Sequence, residues 1–153
     1  MQTVAVPIPM FDEKGLLPAG VHDCAPAEIE ARFGTFQGTE RRPMLFAKLA
    51  AFLTEARAAR IVAWVIVDGS FVTATARPND IDLIVVVKRE HDFEADLSPT
   101  AYNVISKRRV QRRFGFDLLV AREGSPELSQ WVDFFAQVRL DPGRRKGILR
   151  LRL

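Results

Sequence analysis

The sequence contains very few cysteines and histidines. Of its 153 residues, one is a cysteine and two are histidines. Cys24 has no second cysteine with which to form an intrachain disulfide, and a lone thiol is typical of a reducing compartment. His22 and His91 are not at a spacing suited to binding one metal ion together, which favours hydrogen-bonding or solvent-exposed roles for both. We therefore expect neither a disulfide scaffold nor a histidine-based metal site.

Long hydrophobic runs are also absent. The longest purely apolar stretch, residues 61–67, is far too short to span a bilayer. The first 15 residues lack the basic start of a signal peptide, and they contain prolines where its apolar region would lie. These features predict a cytoplasmic protein without a membrane partner.

Length and composition indicate one folded unit. The chain is 48% hydrophobic and 27% charged, as is typical of soluble globular proteins. Its 153 residues fit a single compact domain and are too few for two ordinary ones. Because prolines and glycines are frequent near the start, we predict an irregular arm over residues 1–20 and a single domain over 21–153.

The net charge is only +3, but the basic residues are clustered. One cluster contains Lys107, Arg108, Arg109, Arg112 and Arg113, and the other contains Arg144, Arg145, Lys146, Arg150 and Arg152. Such clusters suit partners that carry phosphate groups. Solvated faces of a helix and of a strand would produce the same pattern, so both interpretations remain open.

Apolar periodicity predicts alternating helices and strands. Helices are expected over residues 26–34, 43–60, 98–113 and 127–137, and strands over residues 61–67, 80–87, 115–121 and 149–153. Residues 141–143 are predicted to form a turn, and the last strand to lie half-buried at a sheet edge. The fold class is therefore α/β (α+β), with a small mixed β-sheet flanked by helices.

Two aspartates interrupt an otherwise apolar strand. Because strand side chains alternate, Asp80 and Asp82 should face one way, while Ile81 and Leu83 face the core. Like charges about 4 Å apart repel by roughly 4 kcal/mol at an effective dielectric of about 20. A turn explains Asp80 but not Asp82. A divalent cation such as Mg²⁺, which prefers oxygen ligands together with substrate phosphates, would relieve the repulsion.

A Gly-Ser pair ends the preceding strand. If a short helix begins at Phe71, its free N–H groups and the Ser70 hydroxyl could hold a phosphate, and Gly69 would let the backbone approach it closely. Asp117 lies in a third apolar strand, on the face opposite Phe116, and is a plausible third carboxylate. Asp68 could orient the Gly-Ser loop or could simply be solvated.

The helix predicted over residues 127–137 is rich in large apolar side chains. Leu128, Trp131, Phe134 and Phe135 are expected to face the core. The alternative, an aromatic platform on which bases stack, is the less favoured interpretation of this set.

The segment DGSFVTATARPNDIDLIVVV, with the later Asp117, resembles the signature of the polymerase-β-like nucleotidyltransferase superfamily. That signature consists of a strand, Gly-Ser, a gap of about ten residues, Asp-apolar-Asp and a later Asp. More closely, the chain resembles a family of small, mostly uncharacterised bacterial proteins of that superfamily. The matching segments are residues 20–23, 29–34, 68–73, 79–82, 134–135 and 146–148.

The resemblance implies a polymerase-β-like core and a site for two Mg²⁺ (or Mn²⁺) ions. Asp80, Asp82 and Asp117 would be both the catalytic residues and the metal ligands. Gly69, Ser70, Lys107 and Arg108 would bind the nucleotide. The reaction would transfer an NMP group from an NTP to a hydroxyl of a protein, RNA or small molecule, releasing pyrophosphate, and a toxin–antitoxin or defence role is one implied setting.

Two other classes of function remain open. One is a non-catalytic nucleotide- or RNA-binding module that kept the fold, although such a module would not need to retain three repelling carboxylates. The other is a subunit that requires a protein partner or a second copy of itself.

Overall fold

The structure is a computed structural model that describes residues 8–153. Residues 1–7 of the predicted arm lie outside the described residues. Residues 8–19 contain turns and bends but no helix or strand, and the side chains of Ile8 and Leu17 are buried. Arg32 donates hydrogen bonds to the carbonyl oxygens of Ile8 and Pro9, at 3.1 and 2.9 Å, and this fixes the segment against the domain.

Helices and strands then alternate along the chain. The helices are α1 (Pro26–Phe33), α2 (Arg41–Ala59), α3 (Pro99–Ile105), α4 (Lys107–Phe114) and α5 (Pro126–Ala136), with a short 3₁₀ helix at Ser70–Val72. The strands are β1 (Gly20–Asp23), β2 (Val62–Asp68), β3 (Asp82–Val87), β4 (Asp117–Arg122), β5 (Gln137–Val138), β6 (Asp141–Arg145) and β7 (Gly147–Arg152). Among the described residues, no helix is both long and apolar enough to cross a membrane.

Five strands form one mixed sheet in the order β1-β7-β2-β3-β4. β2 runs antiparallel to β3 and β7, whereas β3 is parallel to β4 and β1 is parallel to β7. β5 and β6 form a separate two-stranded hairpin. The predicted class, a mixed sheet flanked by helices in an α+β protein, is confirmed.

The prediction of an edge position for the last strand was wrong. β7 lies inside the sheet, because the unpredicted four-residue strand β1 pairs with its outer side. The alternation of leucine and arginine resembled that of an edge strand. It arises because the arginines point to the second face of the sheet. There the guanidinium groups of Arg150 and Arg152 lie over the ring of Trp64, 4.5 and 4.2 Å from its centroid.

Apolar side chains cover both faces of the central strands. Ile81 and the odd-numbered residues of β3 pack with α1, α2 and α4 in a first, larger core. Ile84 and Val86 point to the other face and join Phe135 of α5 in a second core. Strand β3 is therefore buried on both faces, which explains its continuous run of apolar residues.

Two other local predictions needed correction. The helix expected over residues 98–113 is divided at Ser106, whose backbone is extended and whose hydroxyl accepts a hydrogen bond from the N–H of Arg109 at 3.3 Å. A serine that caps the following helix competes with continuous helix at that position. The turn expected at residues 141–143 lies instead at residues 139–140, because residues 141–145 pair with β5.

Candidate active site

Three aspartates meet at one edge of the main sheet. Asp68 ends β2, while Asp82 and Asp117 begin β3 and β4. Because β2 is antiparallel to β3 and β4 is parallel to it, all three ends lie at the same edge. Asp82 is in register with Asp68 on one side and with Asp117 on the other. Residues in register on neighbouring strands point to the same face.

That face is the one covered by α5. Ile81 and Leu83 pack in the first core and Ile84 in the second, so the alternation places Asp82 on the second face. The sequence predicted this separation from Ile81 and Leu83 for both Asp80 and Asp82. The structure confirms it for Asp82, whereas Asp80 lies before β3, which begins at Asp82 and not at residue 80. The structure also confirms that Asp117 lies beside Asp82.

The Gly69-Ser70 turn connects β2 to the 3₁₀ helix and holds Asp80. The Ser70 N–H donates to Oδ1 of Asp80 at 2.8 Å, and the Ser70 hydroxyl makes a short hydrogen bond to the same oxygen. The N–H of Phe71 donates to the carbonyl oxygen of Asp80 at 3.2 Å. The predicted free N–H groups are therefore occupied within the turn, because the helix begins at Ser70 and folds onto Asp80.

Glycine at position 69 is required by the backbone. Its φ of +98° is rarely adopted by residues with a side chain, and a Cβ there would come within 2.7 Å of the Asp80 carbonyl oxygen. The predicted close approach therefore exists, but the group that approaches Gly69 is the backbone of Asp80.

Asp68 is the most buried carboxylate of the site, with 4% of its surface exposed. Its two carboxylate oxygens accept hydrogen bonds from Nζ of Lys146, at 2.9 and 3.1 Å. Of the two roles considered for Asp68, solvation is excluded. Burial raises the pKa of Asp68, while the charge and hydrogen bonds of Lys146 oppose the rise. No sequence pattern predicts this pair, whose members lie 78 positions apart.

Among the described residues, 8–153, Asp82 has no such partner. Burial and then the negative charges of Asp80, Asp68 and Asp117 raise the pKa of Asp82 from 3.8 to about 6, with Lys146 acting weakly in the opposite direction. The carboxylate repulsion predicted from the sequence is therefore present at this residue. A perturbed carboxylate in a cleft is a marker of functional sites.

All seven predicted site residues line one cleft of about 1420 Å³. Lys107 and Arg108, at the start of α4, form its basic wall, and the carboxylates lie at the sheet edge. Pockets for small molecules commonly measure about 300–1,000 Å³, so this volume has room for a nucleotide and part of a second substrate.

The side chains of the two basic clusters lie in different surroundings. In the first, Lys107 and Arg108 face the cleft, whereas Arg113 pairs with Glu55 at 2.7 Å. In the second, four of the five basic residues pair with carboxylates. These pairs are Arg144–Asp12, Arg145–Asp133, Lys146–Asp68 and Arg150–Asp23. A role in binding a phosphate partner therefore stays open mainly for the first cluster.

Arg42 is a residue of the site region that sequence reasoning missed. Only 2% of its surface is exposed, and its guanidinium donates to the carbonyl oxygens of Phe71, Thr73 and Thr75, at 2.7, 2.7 and 2.6 Å. A fourth bond, of 3.3 Å, reaches the carbonyl oxygen of Phe33. Arg42 thus fixes the loop that follows Ser70, part of which lines the cleft.

The carboxylates do not yet form a closed ligand set. Within residues 8–153, no three His, Cys, Asp or Glu side chains are arranged to hold one metal ion. The hydrogen bonds account for this, because Asp68 is turned to Lys146 and Asp80 to Ser70. Metal binding by Asp80, Asp82 and Asp117 stays a prediction.

The fold and the site together define a class of α+β protein. At one edge of its mixed sheet lies a cleft that is lined by carboxylates and by basic side chains. A family model described as "Family of unknown function (DUF6932)" matches residues 9–152, and the chain belongs to this family. Comparisons with curated proteins and with solved structures found no match.

Proposed function

We propose that the protein is a metal-dependent nucleotidyltransferase, which transfers an NMP group from an NTP to a hydroxyl of a protein, RNA or small-molecule acceptor. The observation that carries the proposal is the side-by-side alignment of Asp82 and Asp117, with Asp80 held at the adjacent Gly-Ser turn. Three carboxylates facing Lys107 and Arg108 across a cleft suit a metal–triphosphate complex.

The residues present fit Mg²⁺ or Mn²⁺. Both ions prefer carboxylate oxygens and complete their coordination with water and phosphate oxygens, so few protein ligands are needed. Within residues 8–153, Asp82 supplies a carboxylate without a neutralising partner. Its pKa is raised first by burial and then by the neighbouring negative charges, and a cation would offset those charges. Asp80, Asp82 and Asp117 would hold two ions, which would stabilise the charge that develops on the transferred phosphoryl group and on pyrophosphate.

In the proposed reaction, the acceptor hydroxyl oxygen forms a bond to the α-phosphorus. The bond between that phosphorus and the bridging oxygen to the β-phosphorus breaks, and its electron pair leaves with pyrophosphate. Asp117 would take the hydroxyl proton or would complete the second metal site, and in the second case the proton passes to solvent water. Lys107 and Arg108 neutralise the triphosphate. If Asp80 held a metal ion, the Ser70 hydroxyl would be free to donate to a phosphate.

The cytoplasm is the proposed compartment. A single cysteine fits a reducing environment, and burial raises the pKa of the Cys24 thiol to about 12, which keeps it protonated and unreactive. Cys24 is therefore assigned no part in the chemistry.

The proposal is tested by incubating the protein with each labelled NTP, Mg²⁺ or Mn²⁺, and cell extract. We expect label on a protein, RNA or small molecule with the wild type and none with Asp82→Asn. Asp96→Asn, which changes an exposed acid outside the cleft, is the matched control and should keep transfer. Transfer that persists in Asp82→Asn would remove Asp82 from the mechanism.

A second candidate is a nucleotide-binding module without catalysis. Two observations favour it. Ser70 donates a hydrogen bond to Asp80, and Lys146 neutralises Asp68. The same incubation separates the two candidates, because the module would bind NTP in a melting or calorimetric assay but would transfer no label to any acceptor.

A further inference from the structure

The end of α5 places two consecutive phenylalanines in opposite environments. Phe135 is buried in the second core, whereas Phe134 is 60% exposed and lies in the wall of the cleft. The prediction that both face the core was wrong for Phe134. Adjacent helical residues differ by about 100° around the axis, and at this helix end only Phe135 points toward the sheet. The less favoured sequence interpretation, an aromatic platform, therefore stays open for this one residue.

The exposed ring is held by structured neighbours. Its centroid lies 6.3 Å from that of buried Phe135. The helix end that carries it is tied to the β5–β6 hairpin by a 2.9 Å hydrogen bond from Lys146 N–H to the Ala136 carbonyl, and by the 2.7 Å ion pair between Arg145 and Asp133. A platform that is already positioned loses little entropy when a ligand stacks on it.

The charges around Phe134 indicate what would stack there. Arg139, in the turn of the hairpin, lines the same cleft, as do Lys107 and Arg108 of the basic wall. A flat apolar ring that shares a cleft with cations matches a planar base joined to a phosphate. An aliphatic ligand would gain nothing from the cations, and an inorganic polyphosphate would gain nothing from the ring.

We infer that Phe134 is the stacking platform for a nucleobase, with Arg139 beside it for a phosphate of the same nucleotide. The inference rests on the proposed function, since it assigns a subsite of the same cleft. The base belongs either to the NTP or to a terminal nucleotide of the acceptor. Because every base has a π-face, stacking alone binds the four bases with similar strength.

The test is a calorimetric titration of the wild-type protein and its variants in Mg²⁺. Three ligands are compared: an α,β-methylene NTP analogue, inorganic tripolyphosphate, and a single-stranded RNA tetranucleotide. Phe134→Ala removes the ring and Phe134→Trp keeps an aromatic surface. Phe36→Ala is the matched control, because Phe36 is 63% exposed and lies outside the cleft lining.

If the base is that of the NTP, Phe134→Ala should weaken the analogue by roughly tenfold or more, as base stacking on aromatic side chains does elsewhere. If it is that of the acceptor, the tetranucleotide should weaken instead. In either case tripolyphosphate binding should be unchanged, and Phe134→Trp and Phe36→Ala should bind like the wild type.

The experiment distinguishes failure of the Phe134 stacking subsite from failure of the proposed function. Phe134→Ala with wild-type affinity for both the analogue and the tetranucleotide would overturn the subsite and leave the proposed function standing. A wild-type protein that ignores tripolyphosphate but binds the tetranucleotide through Phe134 would keep the subsite and count against the triphosphate site. A wild-type protein that binds none of the three ligands would overturn both.

Discussion

Arg42 and Asp82 both lie within the fold next to the Ser70 loop, yet their surroundings differ. The guanidinium of Arg42 donates to four backbone carbonyls. The pKa of Asp82 is raised by burial and then by the negative charges of three other carboxylates, and Lys146 opposes the rise. One buried charge is provided with hydrogen-bond partners by the fold, and the other is not.

Under the proposed function, the difference is one between a structural charge and a functional charge. A buried ion is costly unless the protein supplies partners for it, and Arg42 has them. Asp82 lacks a partner within the described residues 8–153 that would neutralise it, so its ionised form weakens the fold. Such local destabilisation is expected where a ligand supplies the missing charge. The predictions below test this contrast, beginning with the largest expected effect.

Replacing Arg42 by Met should destabilise the protein by about 3–5 kcal/mol, because several buried carbonyl groups would lose their donor at once. The loop after Ser70 would lose its attachment to α2. Chemical denaturation with a linear extrapolation measures the change in the free energy of unfolding.

Arg57→Met is the control for Arg42, since Arg57 lies exposed on the same helix and should change stability by less than about 0.5 kcal/mol. If the two variants lost similar stability, the carbonyl cage around Arg42 would not be the reason for its burial.

Lys146→Met should cost about 2–4 kcal/mol, because it leaves the buried Asp68 carboxylate without its cation. The double variant Asp68→Asn with Lys146→Met should recover most of that loss, since no uncompensated charge remains. Thermal or urea unfolding of the single and double variants measures the coupling. A double variant less stable than Lys146→Met would show that the ion pair contributes more than charge compensation.

The sequence predicted some features of the fold and of the candidate site but not others. The spacing of Gly69-Ser70 from Asp80 and Asp82 pointed to residues that line the cleft, because the alternation of side chains along a strand is a local property of the chain. The Asp68–Lys146 pair and the carbonyl cage of Arg42 were missed. Both depend on which distant segments the fold brings together, and no periodicity encodes that.

The same distinction explains the errors at β7 and α5. β7 has the alternation of an edge strand, yet β1, four residues without an apolar pattern, covers its outer side. Phe134 and Phe135 have the same side chain, and only the helix phase against the sheet decides which one is buried. A local sequence pattern identifies an apolar face. It does not predict which surface the neighbouring elements leave exposed.

Mg²⁺ with an NTP should stabilise the wild-type protein, because the cation would offset the negative charge of the carboxylates around Asp82. A ligand at one hundred times its Kd adds about 2.7 kcal/mol to the free energy of unfolding. Differential scanning fluorimetry with millimolar metal and each NTP measures this as a rise in Tm. No rise with any NTP and metal would count against both the triphosphate site and the contrast drawn for Asp82.

Asp82→Asn should have the smallest effect on stability, and the effect should depend on pH. The folded-state pKa of Asp82, about 6, lies above the ordinary value of 3.8, so the fold favours the protonated form. Wild-type stability therefore falls as the pH rises from about 4 to about 6, and the Asn variant escapes that loss. The full shift corresponds to about 3 kcal/mol, which solvent screening at this half-buried group reduces to roughly 1–2 kcal/mol.

Unfolding in chelator at pH 4, 5, 6 and 7 measures the difference between wild type and Asp82→Asn. The advantage of the variant should grow through this range and level off above about pH 6, while its stabilisation by Mg²⁺ and NTP should be mostly lost. Asp96→Asn controls for the removal of an acid and should show neither trend. A variant that is less stable than the wild type by the same amount at every pH, with its metal response intact, would mean that Asp82 accepts structural hydrogen bonds and is not a site for a cation.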